Sequence, residues 1–412
     1  MKEVFYIKDS VENKISYYHL LFFLMVLPFD RFYSSIILVS FLVHTLIFTN
    51  KNSLLRVKKD TLILQSVFIV SLVSVIYSPS ASAGLNSISN QLALLLFPLL
   101  LTTTSLDLTK YRSQLLQGLT LSCTITVLYL YFDAFHVLLY YHKPLKDIFS
   151  WTFVNHNFSL PINMHATYLS MLLVLCIIFS LHQLFYPQTK IKRIYFISCS
   201  LILLAGLIQL SSKSAFITLL LIVIVGFPWF LVSKIKRHQY LFISLVASVL
   251  LINFILSFQI FRVRYIETLK NDLSENNEVV EKYGRADRWN AAWDLIKQSP
   301  VIGTGTGSEI PLLRDIYFER KMYGSYLLSL NAHNQYLSFT INSGIVGLAI
   351  YLATMVWGYW QSIKKKDLML LGFLTLIIVV SFSEDLLDVN KGIFIYAFFF
   401  PFLIRSGGRP DT

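Results

Sequence analysis

A histidine and an asparagine stand directly before a long apolar run in the stretch "NAHNQYLSFTINSGIVG" (331–347). An imidazole has an ordinary pKa of about 6.5, so at neutral pH its neutral form can take a proton from an attacking hydroxyl. His333 is therefore a candidate general base, although it could instead cap the following helix or bind an anion as an imidazolium. We expect Asn334 to cap that helix or to orient a neighbour rather than to react.

Three cations could bind an anionic group. Arg285 and Arg288 are candidates because a guanidinium can grip phosphate oxygens with two parallel hydrogen bonds. Lys213, in "LIQLSSKSAFITLL", lies between two apolar segments, where an ionisable side chain is expensive and is usually paired or functional. Alternatively, Arg285 is a surface arginine paired with Asp287 or Asp294, and Lys213 is a snorkelling lysine.

The two arginines open a segment with helical periodicity. In "RADRWNAAWDLIKQ" this spacing predicts an amphipathic helix with a buried face formed by Trp289, Ala292, Trp293 and Ile296. The stretch "VIGTGTGSE" follows, and its glycines form either an ordinary turn or an anion-binding nest. Neither a dinucleotide fingerprint nor a Walker pattern is present in the sequence. Further on, Gly344 and Gly347 are one helical turn apart, which predicts a smooth strip on which another helix packs.

These residues are carried by a membrane protein. The chain is 55% hydrophobic and 14% charged, and its mean hydropathy is +0.61, unlike a soluble domain. About twelve segments are long and apolar enough to cross a bilayer as helices, so we predict an all-α polytopic fold. Their approximate spans are 17–30, 33–49, 61–78, 84–103, 114–141, 164–184, 194–211, 215–233, 240–259, 335–360, 368–383 and 391–405.

The positions of the cations predict the orientation. Lys and Arg concentrate in alternate loops, so these loops and both termini are expected in the cytoplasm, and the first helix is expected to be retained rather than cleaved. The predicted regions are helices 1–9 (1–259), a large periplasmic loop with amphipathic helices (260–334), and helices 10–12 with a cytoplasmic tail (335–412). The net charge of +12 is explained by cytoplasmic loops beside anionic membrane lipids, and nucleic-acid binding is not indicated.

The motifs together resemble the signature region of the O-antigen ligase and polymerase superfamily. The similar elements are an Arg four residues before a Trp, a Pro-x-x-Gly-x-Gly turn, and then His-Asn, nine residues and Gly-x-x-Gly. The last element is complete from His333 to Gly347. The resemblance is close over about 285–347 and extends loosely over the whole chain, since a dozen spans with one long outer loop before the tenth are similar to the family's arrangement.

The resemblance implies a glycosyltransferase of the class C membrane type in the bacterial inner membrane. Such an enzyme takes a glycan from an undecaprenyl pyrophosphate donor on the periplasmic face and passes it to an acceptor hydroxyl. The acceptor is a lipid A core sugar for a ligase and the growing glycan for a polymerase. His333 would be the base of a direct, inverting attack without metal or cofactor. The donor pyrophosphate would be bound by Arg285, Arg288 and Lys213, and the supporting residues would be Trp289, Asn334, Gly344 and Gly347.

Lys213 departs from the ligase pattern, in which an arginine stands in a comparable Ser-rich stretch. A lysine supplies a point charge but no bidentate fork. The alternatives to a ligase are a polysaccharide polymerase of the same superfamily, a related oligosaccharyltransferase that glycosylates protein, and a transporter of lipid-linked glycans. A transporter should show inverted halves with broken helices near the midplane, whereas these candidates cluster at one face. Lesser candidates on that face are His165, Glu384, Asp385, Arg314, Arg320 and Lys321.

Overall fold

The computed structural model describes residues 2–49, 51–273 and 284–407. Most of the acidic, Asn-rich stretch of the predicted outer loop (274–283) and the end of the predicted tail (408–412) lie outside the described residues. In the described ranges every regular element is a helix. The longer helices are α1 (Val11–Val26), α2 (Arg31–Phe48), α3 (Lys59–Tyr77), α4 (Ala81–Thr103), α5 (Leu108–Tyr140), α6 (Ala166–Gln183), α7 (Lys190–Leu210), α8 (Lys213–Phe230), α9 (Arg237–Ser257), α10 (Arg285–Gln298), α11 (Glu309–Glu319), α12 (Gln335–Lys365), α13 (Leu368–Ser381) and α14 (Asn390–Ser406).

Shorter elements fill the connections. Short α-helices lie at Lys2–Phe5, Lys51–Leu54, His156–Ser159, Gln259–Arg262, Thr268–Leu273 and Tyr323–Leu327. Tighter or wider helical turns lie at Leu145–Phe149, Trp151–Phe153, Leu160–Ile162 and Val263–Glu267.

Nine of the described helices, α2 to α9 and α12, are long and apolar enough to cross a membrane. Helices α1, α13 and α14 coincide with the other three predicted spans but have 16, 14 and 17 residues. The expectation of an all-α polytopic membrane protein is therefore confirmed. The number of twelve crossings stays a prediction, because these three helices are shorter than the roughly 20 residues that a bilayer core requires.

Helix α6 is the central helix of the bundle. Of its most apolar stretch 83% is buried, and it contacts α5, α7, α8 and α13. Helix α9 is peripheral, with 17% of the equivalent stretch buried and an outer surface that includes Phe242, Ile243, Leu250 and Phe254. An apolar outer surface of this kind suits hydrocarbon, where only helices with internally satisfied backbones are stable. The N-terminal ends of α6, α8 and α12 are consequently brought to one end of the bundle by helices packed on each other.

The segment between α9 and α12 has a small core of its own. Buried residues of α10 and α11 pack together with the first turns of α12, among them Leu295, Leu313, Tyr317 and Ile341. The amphipathic helix predicted at α10 is confirmed, but one residue of its predicted buried face is wrong, since Trp293 is 52% exposed. The buried stripe of α10 is formed by Ala291, Ala292, Leu295 and Ile296. In the sequence, the large apolar side chain of Trp293 suggested that this residue also faces the core.

Gly344 breaks α12 rather than smoothing its surface. It has a φ of +63° and a ψ of −168°, and the two amides that follow it donate to the carbonyl oxygens of Pro300 and Val301. A Cβ at Gly344 would lie 2.1 Å from Val301 O, and one at Gly347 would lie 2.3 Å from Ser343 Cβ of the same helix. The predicted strip for a packing helix is therefore wrong, because the neighbour at the break is the turn at residues 300–302 and not another helix.

The glycine turn is a packing device. Gly303, Gly305 and Gly307 have φ values of +75°, +96° and +84°, which favour glycine. A Cβ at any of them would collide with the backbone of α12 or of residues 78–84. The amides of residues 303 to 306 all donate to backbone carbonyl oxygens, at 2.7 to 3.3 Å. Because these amides are already hydrogen bonded, the turn is not an open anion-binding nest.

Candidate active site

His333 lies in the turn before α12. Its φ of +49° is left-handed, and its N–H donates to Asn331 Oδ1 (3.2 Å). Asn334 caps α12, because its Oδ1 accepts the N–H groups of Tyr336 (3.0 Å) and Leu337 (3.3 Å). The alternative in which His333 is the helix cap is therefore wrong, and its imidazole is available for another role.

Glu384 lies beside the imidazole of His333. Its Oε2 is 3.6 Å from His333 Nδ1, and its Oε1 accepts a hydrogen bond from Thr167 Oγ1 (3.0 Å). Burial acts to raise the pKa of this carboxyl, but the adjacent imidazoles and the Arg285 guanidinium outweigh burial and hold the pKa at about 2. The carboxylate is consequently charged at neutral pH and can stabilise a proton on His333.

Two further histidines adjoin the same carboxylate. The ring centroids of His156 and His165 are 4.2 Å apart, and their Nδ1 atoms accept the N–H groups of Ala166 (3.4 Å) and Thr167 (3.3 Å). Burial lowers the pKa of both, that of His156 to about 4. Both rings are therefore neutral at neutral pH, with the proton on Nε2, from which they can donate a hydrogen bond to a ligand oxygen.

Lys213 and Arg285 converge on one carboxylate. Asp272 Oδ2 lies 3.9 Å from Lys213 Nζ and 4.0 Å from Arg285 Nη1. Both distances exceed that of a hydrogen bond. An anionic ligand could therefore replace Asp272 at these two cations without breaking a hydrogen bond. The predicted alternative of an Arg285–Asp294 pair is wrong, because Asp294 pairs with Arg320 and lies 3.4 Å from Lys297 Nζ.

Arg288 lies on the buried face of α10. It is 7% exposed, and its Nε and Nη1 atoms are buried without a hydrogen bond to any described residue. Burial lowers its pKa, although a guanidinium stays protonated in proteins. A buried cation whose donors are unsatisfied within the described residues is suited to a ligand that brings negative charge.

Hydrogen bonds on both sides hold the turn that carries His333. Ala332 accepts a bond from Trp289 Nε1 (3.0 Å) through its carbonyl oxygen and donates its N–H to Glu309 Oε1 (3.0 Å). The N–H of Asn334 donates to Asp385 Oδ1 (2.7 Å). Burial raises the pKa of both carboxyls, that of Glu309 to about 7. These contacts couple α10, α11 and the α13–α14 connection to the backbone on either side of the imidazole.

The structure thus links Arg285 to the carboxylate beside His333, and Lys213 to Arg285 through Asp272. Arg285 contributes to the lowered pKa of Glu384, and Arg264 contributes to the lowered pKa of His156. Sequence reasoning missed four of the charged or titratable participants: His156, Arg264, Asp272 and Glu309. Each stands in a predicted outer connection, but only the fold shows that these connections meet. Within the described residues no group of three or more His, Cys, Asp or Glu is arranged to hold a metal ion.

Part of the chain matches the model of a known protein family. Residues 198–352 match the family model described as O-antigen ligase. This segment contains the three cations Lys213, Arg285 and Arg288, the glycine turn, His333 and the break at Gly344. Glu384, His156 and His165 lie outside it. Comparison with curated proteins gave no match. The match at 198–352 confirms the resemblance carried by the motifs, and this part of the chain is similar to the O-antigen ligase family.

Proposed function

We propose that this protein transfers a glycan from undecaprenyl pyrophosphate to an acceptor hydroxyl, a lipid A core sugar, as an O-antigen ligase does. The family match supports a membrane glycosyltransferase of this superfamily. The cations and histidines lie at the end of the bundle that the positive-inside pattern predicts to be periplasmic. The observation that carries the proposal is that Arg285, which shares Asp272 with Lys213, also acts electrostatically on Glu384, the carboxylate beside His333.

His333 is the proposed general base. Its Nε2 takes the proton from the acceptor hydroxyl as the oxygen attacks the anomeric carbon, and the bond from that carbon to the pyrophosphate oxygen breaks. Glu384, 3.6 Å from Nδ1, stabilises the resulting imidazolium. The proton then passes to solvent. A single displacement of this kind inverts the anomeric configuration.

Fixed cations are the proposed means of stabilising the leaving pyrophosphate. Arg285 and Lys213 are each about 4 Å from the same Asp272 oxygen, so pyrophosphate can displace that carboxylate and bind both. Arg288 adds a buried guanidinium with unsatisfied donors on the next turn of α10. Preorganised positive charge in a site of low dielectric is an effective way to stabilise developing negative charge, and no metal is invoked.

Two experiments test the proposal. In the first, purified protein in detergent micelles is given lipid-linked glycan and lipid A core, and transfer is measured; transfer in micelles identifies an enzyme, because a transporter needs two compartments. In the second, the gene is deleted. Loss of all glycan from lipid A core, with polymerised donor accumulating, supports a ligase. Attachment of single repeats would instead identify a polymerase, and unchanged glycolipids would contradict both activities.

A further inference from the structure

A polar cavity of about 490 Å³ lies at the end of the bundle opposite His333. Helix α6 begins beside His165 and ends at the cavity, so an 18-residue helix, about 27 Å long, separates the two places. The cavity lies between α5, the end of α6, the α12–α13 turn and the end of α14. Its lining includes Arg112, His182, Lys365, Lys366 and Asp367.

The cavity carries net positive charge. Arg112 donates to both oxygens of Asp367, each at 2.7 Å. Burial acts to raise the pKa of Asp367, but Arg112 outweighs burial and keeps the pKa below its ordinary value, so the two charges cancel. Lys366 then remains as a cation of the lining, and Lys365, which is near the carboxylates of Asp367 and Asp60, donates its Nζ to Ile404 O (2.6 Å). His182 Nδ1 is buried at the cavity without a hydrogen bond to any described residue.

An apolar groove of about 610 Å³ meets this cavity at Lys366, which lines both. The groove lies between the second half of α8 and the facing surfaces of α12 and α13. Helix α8 contains a π-helical turn at Ile222–Gly226, and such turns are frequent at functional sites. Trp229, 69% exposed, lines the groove beneath the guanidinium of Arg237 (4.6 Å). Tryptophan is enriched at membrane interfaces, so its position here suits a groove that opens towards lipid headgroups.

We propose that the cavity and groove together bind an anionic glycerophospholipid of the surrounding bilayer. The phosphate group lies against Lys365 and Lys366, a hydroxyl of the headgroup donates to His182 Nδ1, and one acyl chain lies in the groove beside Val225. Charge complementarity favours this occupant, because the lining of the cavity has three Lys and Arg side chains against one Asp, and the groove has no charge other than Lys366. The positive-inside pattern predicts that this end faces the cytoplasm, where anionic lipids attract basic groups.

Native mass spectrometry of the full-length protein, titrated with phosphatidylglycerol or with phosphatidylcholine of the same acyl chains, tests this site. We expect phosphatidylglycerol to bind at least about fivefold more tightly, since one cation near an anionic lipid contributes about 1 kcal/mol. Lys366→Asn removes the shared charge and keeps a residue that tolerates the left-handed φ of +52° at this position. This variant should lose about fivefold of the preference for phosphatidylglycerol.

Lys364→Asn is the matched control, because Lys364 is exposed, lies over Trp360 (4.9 Å) and lines neither space. It should leave the preference unchanged. Val225→Trp fills the groove and should weaken binding of phosphatidylglycerol while the fold, monitored by elution profile, is retained. Equal binding of the two lipids, or no effect of Lys366→Asn or Val225→Trp, would overturn the proposal. Displacement of the lipid by inorganic phosphate at equal concentration would also overturn it, since the apolar groove would then contribute nothing.

Discussion

At the scale of single residues, the pair formed by His333 and Glu384 decides whether the proposed chemistry is possible. Glu384 lies 3.6 Å from one ring nitrogen, Nδ1, so the other can face an acceptor. The turn itself is held by the backbone bonds of Ala332 and Asn334 to buried carboxyls. Replacing the imidazole should therefore remove the base while leaving the backbone in place.

His333→Ala should lower glycan transfer by about a hundredfold or more, because general base catalysis typically contributes a factor of about 10²–10⁴. The measurement is the initial rate of transfer by purified protein from lipid-linked donor to acceptor. His136→Ala is the matched control, since His136 is exposed on α5. A transfer rate close to that of the unmodified protein in the His333 variant would rule out its role as base.

Arg285→Ala should also lower transfer by about a hundredfold or more, because a preorganised charge at the leaving group is lost. Arg285→Lys should recover part of the transfer rate, since a lysine restores the positive charge but cannot form two parallel hydrogen bonds to phosphate. The control is Arg320→Ala, whose partner Asp294 belongs to the exposed side of α10. If Arg285→Ala and Arg320→Ala behaved alike, Arg285 would not be part of the site.

At the scale of elements, α12 is divided into a short segment after His333 and a long segment beyond the break. The break exists because the chain at Pro300 and Val301 supplies the hydrogen-bond acceptors that the helix lacks there. Glu309, the first residue of α11, accepts the N–H of Ala332 in the turn that carries His333. The position of His333 therefore depends on contacts between elements that are distant in sequence.

Gly344→Ala should abolish the ordered break. An alanine would cost roughly 1–3 kcal/mol in this backbone region, which only glycine adopts readily, and its Cβ would lie 2.1 Å from Val301 O. We expect a clear drop in the thermal unfolding midpoint and loss of transfer. Ala349→Gly, at an exposed position of the same helix, provides the comparison. Unchanged stability of the Gly344 variant would contradict the described backbone.

Glu309 should make stability depend on pH in a defined direction. Burial raises the pKa of Glu309 to about 7 from an ordinary value of 4.5. The contribution of this carboxyl to the stability of the fold is therefore fully present below about pH 4.5 and is lost as the pH rises through 7. Glu309→Gln does not titrate, so its unfolding midpoint should rise relative to that of the unmodified protein between pH 4.5 and 8. For Glu319→Gln, an exposed change on α11, the curve of unfolding midpoint against pH should run parallel to that of the unmodified protein. Parallel curves for Glu309→Gln would show that this carboxyl is not buried as described.

At the scale of the whole molecule, the reactive groups and the polar cavity lie at opposite ends of α6. Lys213, His165 and His333 all stand at or just before the first residue of a helix, at one end of the bundle. Clustering at one end suits an enzyme that works at one membrane face better than a transporter with a site at the midplane. The orientation of these ends in the membrane is a prediction from the positive-inside pattern.

Cysteine labelling tests the orientation. The three native cysteines are free and buried, so they should give little background with a maleimide that cannot cross membranes. Trp293→Cys, on the exposed side of α10, should be labelled from the periplasm of intact cells. Lys364→Cys, near the end of α12, should be labelled only after the cells are opened. The reverse pattern would invert the proposed topology.

The sequence by itself determined the membrane character, the positions of the helices and the motif around His333, because hydropathy and helical periodicity are local properties of the chain. It also placed the candidate cations, since they stand beside recognisable apolar segments. Only the tertiary structure decided that Asp272 joins Lys213 to Arg285, that Glu384 faces His333, and that Gly344 breaks a helix. These are contacts between residues separated by 13 (Asp272 and Arg285) to 59 positions (Lys213 and Asp272) in the chain, and their energy depends on which helix ends the bundle brings together.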